Sequence, residues 1–366
     1  MALRRKLKGA FRALLQKGGH TAADRDLSYL RPICFAIPEE NIVEEIPQKE
    51  RCLAYNIPGI KETYIYRDER EYYRAYGQSY FAITMKKRGW DCLRHYEILA
   101  SGCVPYFLGL ESCPPATLQA FPKQLVLKAR QLGGVPNLEE GEDLRNLRFD
   151  IDFSHFDLSR YYALLETLIG YTRKYLTTKA LARYVLEQCG LPLSGSYLVL
   201  RACHPRGKFK ADYQRDLLIH GLYAVGATVY TYPQFSYLYD TFPKDALERV
   251  YGKGFSYARR IRYPSYSMSL DSIKAKIKQK VFDGIIYTTQ SNLPIEIDAT
   301  PFFDLILGRY SEESLVFVDG SDKDYTGYCD RIKAWKCFKR EIPVDLEYDR
   351  PLESASDDDS QARAAI

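Results

Sequence analysis

The second half of the chain alternates short apolar runs with helical segments, and this alternation is the strongest constraint on its fold. The predicted strands are residues 197–202, 227–232, 282–287 and 314–320. The predicted helices are residues 212–222, 270–280, 300–309 and 322–337. Strands that alternate with helices are typical of a mostly parallel, Rossmann-like sheet.

The first half also predicts an α/β unit. Its expected strands are residues 32–37, 63–66 and 79–84, and residues 68–77 are expected to be helical. Residues 158–188 have strong helical periodicity and predict two helices with a break near Thr177 and Thr178. The length of 366 residues fits two domains of ordinary size. The predicted divisions are a basic amphipathic segment at 1–30, domains at 31–192 and 193–345, and a disordered tail at 346–366.

The stretch at residues 89–107 predicts a loop, a helix, a tight turn and a short apolar strand. On a helix that begins near Asp91, a spacing of three and seven residues places Arg94, Glu97 and Ser101 on one face. A cation and a carboxylate beside a helix N-terminus suit a ligand with phosphate and hydroxyl groups, such as a nucleotide sugar. The alternative is a surface helix that carries a structural Arg–Glu pair.

The composition of the chain and the motifs that it lacks argue against several classes of protein. The nine cysteines are scattered and form no CxxC pair, so reduced, cytosolic thiols are expected rather than a zinc cluster. No apolar run is long enough to span a membrane, and neither the phosphate-binding loop of ATPases nor the dinucleotide fingerprint occurs. The net charge of +5 is too small to demand nucleic acid but suits an anionic donor or an acidic membrane.

Residues 3–17 predict a basic amphipathic helix. Such a helix can lie on an anionic membrane surface, which would give the protein a peripheral position on the inner face of a membrane. The alternative is an ordinary packing helix.

Two runs carry a resemblance to a known family. The run KKRGWDCLRHYEILASGCVPYF, followed by CPPATLQAFPKQLV, resembles the exostosin-like glycosyltransferases of bacterial and viral surface-glycan pathways. The shared pattern is an R-x-x-E helix followed by a small residue, Gly, Cys, an apolar residue and Pro. The resemblance implies a GT-B fold, in which two Rossmann-like domains face each other across a cleft. Here the donor-type unit comes first, so we expect a circularly permuted GT-B chain whose old connection was cut between about residues 345 and 31.

The resemblance also implies roles for individual residues. The expected donor-binding residues are Lys87, Arg88, Arg94, Glu97, Ser101 and Gly102. The cations would meet the charge of the leaving phosphate, Glu97 would accept hydrogen bonds from ribose or sugar hydroxyls, and the small residues would permit close backbone approach.

An inverting transfer also needs a general base near the acceptor hydroxyl. The expected candidates are Asp212, Asp216, His220 and Asp319. The first three share a helical face, and Asp319 heads a cluster with Asp322 after a strand end. A buried, satisfied histidine and simple turn chemistry at Asp319 are the alternatives. No metal ion or other cofactor is expected, because GT-B enzymes typically work without one.

The leading hypothesis is therefore a cytoplasmic hexosyl- or pentosyltransferase. It would move a sugar from a nucleotide-sugar donor to a growing surface polysaccharide or a lipid-linked glycan, with inversion. The alternative is a noncatalytic glycan- or nucleotide-binding protein of the same pathway.

Overall fold

The protein was analysed as a computed structural model, which describes residues 27–138, 141–202, 211–289, 297–323 and 328–342. The predicted helix at 3–17 and the predicted tail at 346–366 lie outside the described residues. Within the described residues, no helix combines the length and the apolar character needed to cross a membrane.

In the described residues, nine strands form two sheets, and every strand pair is parallel. They are β1 (Leu30–Pro32), β2 (Arg51–Leu53), β3 (Ser79–Met85), β4 (Val104–Leu108), β5 (Ser196–Arg201), β6 (Thr228–Tyr232), β7 (Gly284–Thr289), β8 (Leu315–Asp319) and β9 (Lys336–Lys339). The large sheet has the order β1-β9-β8-β7-β5-β6, and the small sheet has the order β2-β3-β4. The prediction of an α/β protein with parallel sheets is confirmed.

The α-helices are α1 (Glu69–Gly77), α2 (Leu93–Ala100), α3 (Lys123–Arg130), α4 (Leu158–Tyr175), α5 (Thr178–Cys189), α6 (Tyr213–Ala224), α7 (Leu270–Lys278), α8 (Phe303–Leu307) and α9 (Asp330–Lys333). The predicted break between two long helices is confirmed. Thr177 ends the run because its hydroxyl accepts a hydrogen bond from the Ala180 N–H and caps α5.

The core runs on both faces of the large sheet. One buried cluster joins the small sheet to α4, α5, α6 and one face of the large sheet. A second cluster packs α7, α8 and α9 against the opposite face, through residues such as Ile273, Phe303 and Ile332. Both faces of β8 are therefore covered, and all five of its residues are buried, as a central parallel strand requires.

Two strand predictions in the first half were wrong. Residues 63–66 form no strand, because the Thr63 hydroxyl donates to the Ile60 carbonyl and closes the short 3-10 turn Lys61–Thr63. In the run at 32–37, regular pairing ends at Pro32. The rest is a buried segment that crosses from the large sheet to the small one, where the Phe35 N–H donates to Asp91 instead of to a strand.

The helix predicted at 322–337 was also wrong. Its described part contains only the four-residue α9, and Lys336 begins β9. Cys337 and Phe338 are buried in the large sheet, where β9 lies between β1 and β8, so tertiary pairing decides their conformation.

One pairing crosses the predicted domain division. β1 is the edge strand of the large sheet, although Arg31 and Pro32 were assigned to the first domain.

Candidate functional site

The carboxyl ends of the two sheets meet in a seam, by which we mean residues 86–97 on the small-sheet side together with residues 250–256, 319–323 and 340–342. The N–H groups of Trp90 and Asp91 each donate to the Glu341 carboxylate at 3.0 Å. Arg340 donates to the Asp91 carbonyl at 2.6 Å. In open α/β sheets, ligands bind outside the carboxyl ends of the strands, so this seam is the candidate site.

Close packing in the seam explains the glycine of the loop that follows β3. A Cβ atom at Gly89 would overlap the Glu341 carboxylate. Burial raises the pKa of Glu341, and burial raises the pKa of Asp91 to about 7. The loop is therefore held by buried, hydrogen-bonded carboxyl groups.

Arg94 lies in a tyrosine-rich environment at the start of α2. Its Nη2 atom donates to the Tyr64 hydroxyl at 2.9 Å, and its guanidinium lies 5.3 Å from the centre of the Tyr64 ring. Its Nε atom is buried without a hydrogen-bond partner. Within the part of the chain that the structure describes, no carboxylate lies within 4.0 Å of this guanidinium. Arg94 is a cation that lacks an anionic partner there.

Lys87 extends toward the same tyrosine. A Cβ atom at Gly59 would lie 2.7 Å from the Lys87 Nζ atom, and the Gly59 N–H donates to the Tyr64 hydroxyl. Arg88 is exposed beside Lys87. The structure thus places Lys87 beside Gly59 and Arg94 beside Tyr64, and Gly59 and Tyr64 are joined by a hydrogen bond. Arg94 lies at the N-terminus of α2, where Cys92 provides no side-chain cap. This end of the helix favours negative charge.

Glu97 is buried and does not pair directly with Arg94. One of its oxygens accepts a hydrogen bond from the Ser256 hydroxyl at 2.5 Å, and the other accepts one from the Tyr72 hydroxyl at 2.6 Å. Burial raises its pKa. The alternative of a surface Arg–Glu pair is therefore wrong, because Glu97 joins α1 and α2 to the loop of Ser256.

Sequence reasoning missed Ser256 and the helix that supports it. The Ser256 N–H donates to Glu69 at 2.7 Å, and the Tyr73 hydroxyl lies 2.8 Å from the Ser256 hydroxyl. Glu69, Tyr72 and Tyr73 are spaced by three and four residues, so they share one face of α1. That spacing was visible in the sequence, whereas the position of Ser256 depends on a contact between distant parts of the chain.

Ser101 and Gly102 lie at the opposite end of α2 from Arg94. The Ser101 side chain donates to the Glu97 carbonyl, and the Gly102 carbonyl accepts a hydrogen bond from Lys49. Both residues are buried. Their contacts serve the packing of the end of α2, so neither residue belongs to the proposed site.

Asp212 and Asp216 are tied into the start of α6. Asp212 caps this helix by accepting a hydrogen bond from the Arg215 N–H. Asp216 is fully buried, and its two oxygens accept hydrogen bonds from the Arg215 guanidinium at 2.7 Å and the Tyr237 hydroxyl at 2.9 Å. Burial raises the pKa of Asp216 to about 6. These contacts favour a structural ion pair over a general base.

His220 lies away from the contacts of Asp216, although both are on α6. Its Nδ1 atom is 2.8 Å from the Thr178 hydroxyl, and its Nε2 atom is 3.4 Å from Glu40. The three side chains that were expected to act together therefore contact different neighbours, and they form no common site. His220 instead lines a separate cavity.

Asp319 is also engaged at the end of β8. It accepts hydrogen bonds from the Lys339 ammonium at 3.0 Å and the Tyr328 hydroxyl at 2.5 Å, and its other oxygen accepts one from the Ser321 N–H. Asp322 in the same cluster is more open: its side chain is 38% exposed and accepts a hydrogen bond from Arg340 at 2.5 Å.

Among the described residues, no group of three or more His, Cys, Asp and Glu side chains is arranged to hold a metal ion. The expectation that no metal is needed stays a prediction.

The fold and the seam define an α/β protein with two parallel sheets whose carboxyl ends face each other. Comparisons with protein-family models, with curated proteins and with solved structures found no match to this chain. The resemblance to exostosin-like glycosyltransferases therefore rests on the residues that carry it.

Proposed function

We propose that the protein is a glycosyltransferase that takes a nucleotide sugar at the seam and transfers the sugar to a glycan acceptor. One observation carries the proposal: Arg94, mostly enclosed by tyrosines and without a carboxylate partner among the described residues, lies at an uncapped helix N-terminus. Arg94 is half-buried, and a bound diphosphate would supply the counter-ion that a partly desolvated cation needs. Lys87, whose Nζ atom lies beside Gly59, would add a second positive charge.

The proposed fold is GT-B with its two domains in permuted order. Two features support it. The segments at 33–37 and 340–342 both cross between the sheets, and the Arg340 guanidinium lies 4.5 Å from the centre of the Phe35 ring. α5 packs against α6, so it also links the two parts of the chain. A rearranged chain, with residues 193–345 placed before residues 27–192, should keep cooperative unfolding and donor binding. An unfolded product would contradict the permutation.

The general base is proposed to be Asp322 rather than Asp319, because Asp322 is partly exposed beside the glycine loop whereas Asp319 is engaged in a buried network. Asp322→Asn should reduce the transfer rate at least tenfold and change the donor affinity little. An equal loss in Asp304→Asn, which removes an exposed carboxylate on α8, would show that the effect is not specific.

Donor binding tests the central claim. A thermal-shift screen of UDP-, GDP-, CMP- and dTDP-sugars should find a donor that raises the melting temperature by mass action. Arg94→Gln should then weaken that donor at least tenfold, since a charge-assisted hydrogen bond contributes about 1.5–3 kcal/mol. The control Arg74→Gln removes an exposed arginine of α1 and should bind normally. The proposal fails if no sugar nucleotide stabilises the protein or if both variants bind alike.

Turnover separates the enzyme from the alternative of a noncatalytic binding protein. The enzyme should consume the donor found in the screen when a surface polysaccharide or lipid-linked glycan is supplied. Binding without consumption in a broad acceptor panel would favour the binding protein.

The membrane contact of residues 3–17 is a separate proposal. A variant that lacks residues 1–17 should move from membrane to soluble fractions while it still transfers sugar to a soluble acceptor. Unchanged partitioning would contradict it.

A further inference from the structure

A second cavity lies beside the last turns of α6, away from Arg94. Its volume is about 280 Å³, and it is lined by His220, Tyr223, Ala224, Arg260, Ile261 and Arg262. This volume is just below the range of about 300–1,000 Å³ of typical small-molecule sites, so the cavity suits one compact ligand. The Ile261 backbone between the two arginines is fixed, because its N–H donates to the Leu238 carbonyl and its carbonyl accepts from the Asp240 N–H.

The arginines of this cavity have capacity to bind an anion. Arg260 forms an ion pair with Glu69 at 2.5 Å, but its Nε atom is buried without a hydrogen-bond partner. Arg262 is exposed, and it forms no ion pair with any residue that the structure describes. His220 adds an imidazole whose Nε2 atom faces Glu40 at 3.4 Å. The Nε atom of Arg260 and the guanidinium of Arg262 therefore remain as donors that no described acidic residue occupies.

We propose that this cavity is an oxyanion site that takes a phosphate monoester. Arg262 offers a positive charge without an ion-pair partner among the described residues, and Arg260 adds its unbonded Nε donor beside the ion pair with Glu69. Such a phosphate carries a charge of about −1.5 to −2, and the planar donors of arginine fit its oxygens in pairs. The cavity is larger than a bare ion needs, so it leaves room for the group esterified to the phosphate. This site is independent of the donor proposed at Arg94.

The test is calorimetric titration of the full chain with inorganic phosphate and phenyl phosphate, and with benzoate as the carboxylate probe, at constant ionic strength. Phenyl phosphate should bind at least tenfold more tightly than benzoate. Arg262→Gln should weaken phenyl phosphate at least tenfold through the lost charge-assisted hydrogen bonds, and Ala224→Leu should weaken it by filling the cavity. Arg249→Gln, which removes an exposed arginine elsewhere, should bind as the unmodified protein does.

Cross-testing keeps this proposal separate from the proposed function. Arg94→Gln should retain phenyl phosphate binding, and Arg262→Gln should retain binding of the sugar nucleotide. The cavity proposal is overturned if Arg94→Gln removes phenyl phosphate binding, if neither Arg262→Gln nor Ala224→Leu weakens it, or if benzoate binds equally well. A failure of sugar-nucleotide binding alone would overturn only the proposed function.

Discussion

The Asp91 carboxyl group should make the stability of this protein depend on pH in a way that one substitution removes. Burial raises its pKa to about 7 in the folded protein, whereas an aspartate in an unfolded chain titrates near 3.9. The folded state therefore holds this proton more tightly than the unfolded state does. Its contribution to stability is fully present below about pH 4 and is lost as pH rises through about 7.

The size of the effect follows from that shift. One pKa unit corresponds to about 1.4 kcal/mol, so a shift of about three units gives a total of about 4 kcal/mol. Of this total, about 2–3 kcal/mol falls between about pH 5 and about pH 8. Asp91→Asn removes the titration and keeps an oxygen that can accept the hydrogen bond from the Phe35 N–H, which is 2.7 Å from the carboxylate.

Urea unfolding of both proteins across this pH range is the assay. The stability of Asp91→Asn relative to the unmodified protein should increase by about 2–3 kcal/mol from about pH 5 to about pH 8. Buried acids that do not interact with Asp91, such as Asp216, titrate in both proteins and cancel in the difference. Asp304→Asn is the exposed control and should show little such change. A difference that is constant with pH, or that declines as pH rises, would refute the reasoning.

Three further predictions test packing and burial. Gly102→Ala should destabilise the protein by about 1–2 kcal/mol, because Gly102 has a φ of +70° and a Cβ atom there would lie 3.1 Å from Pro47 and Val43. The control Gly170→Ala, on the open face of α4, should stabilise the protein slightly, and equal effects of the two substitutions in urea unfolding would contradict this reasoning. Arg215→Leu should lower the free energy of unfolding by about 3–5 kcal/mol, because it leaves the Asp216 carboxylate buried without its cation. A decrease below about 1 kcal/mol would be too small for that explanation. A thiol reagent should label the exposed Cys329 of the native protein before it labels the buried thiols that the structure describes, as mass spectrometry of the modified peptides would show. The buried thiols are Cys34, Cys103, Cys113 and Cys337, and labelling of these before Cys329 would be inconsistent with the fold.

Local signals were sufficient for much of the fold. The helix break at Thr177 could be predicted because a threonine cap acts on residues next to it in the sequence. β9 could not, because its conformation depends on a place between two strands that are distant in the sequence. Periodicity alone does not distinguish a short buried strand from a helical segment.

In the candidate site, too, some features could be predicted from the sequence and others could not. Lys87 was recognised from its position before a helix and Arg94 from its position within that helix. The contacts of Arg94 with Tyr64 and of Lys87 with Gly59 join parts of the chain that are distant in the sequence, so spacing did not reveal them. Asp216 was identified by helical spacing and Asp319 by its position after a strand, and neither signal reveals that Arg215 and Lys339 are their partners. Spacing shows which side chains share a face, and only the packed fold shows which of them are already satisfied.

The pairing of β1 with β9 has a consequence for how the protein is made. Leu30 lies opposite Cys337, so β1 must wait during synthesis for a partner that lies far later in the chain. Until then β8, whose residues are all buried in the finished protein, has an open edge. Pairing between such distant segments is slow, and an unpaired apolar strand promotes aggregation. A nascent chain stopped before residue 336 would therefore depend on chaperones, because the edge of β8 is covered only after β9 has been made.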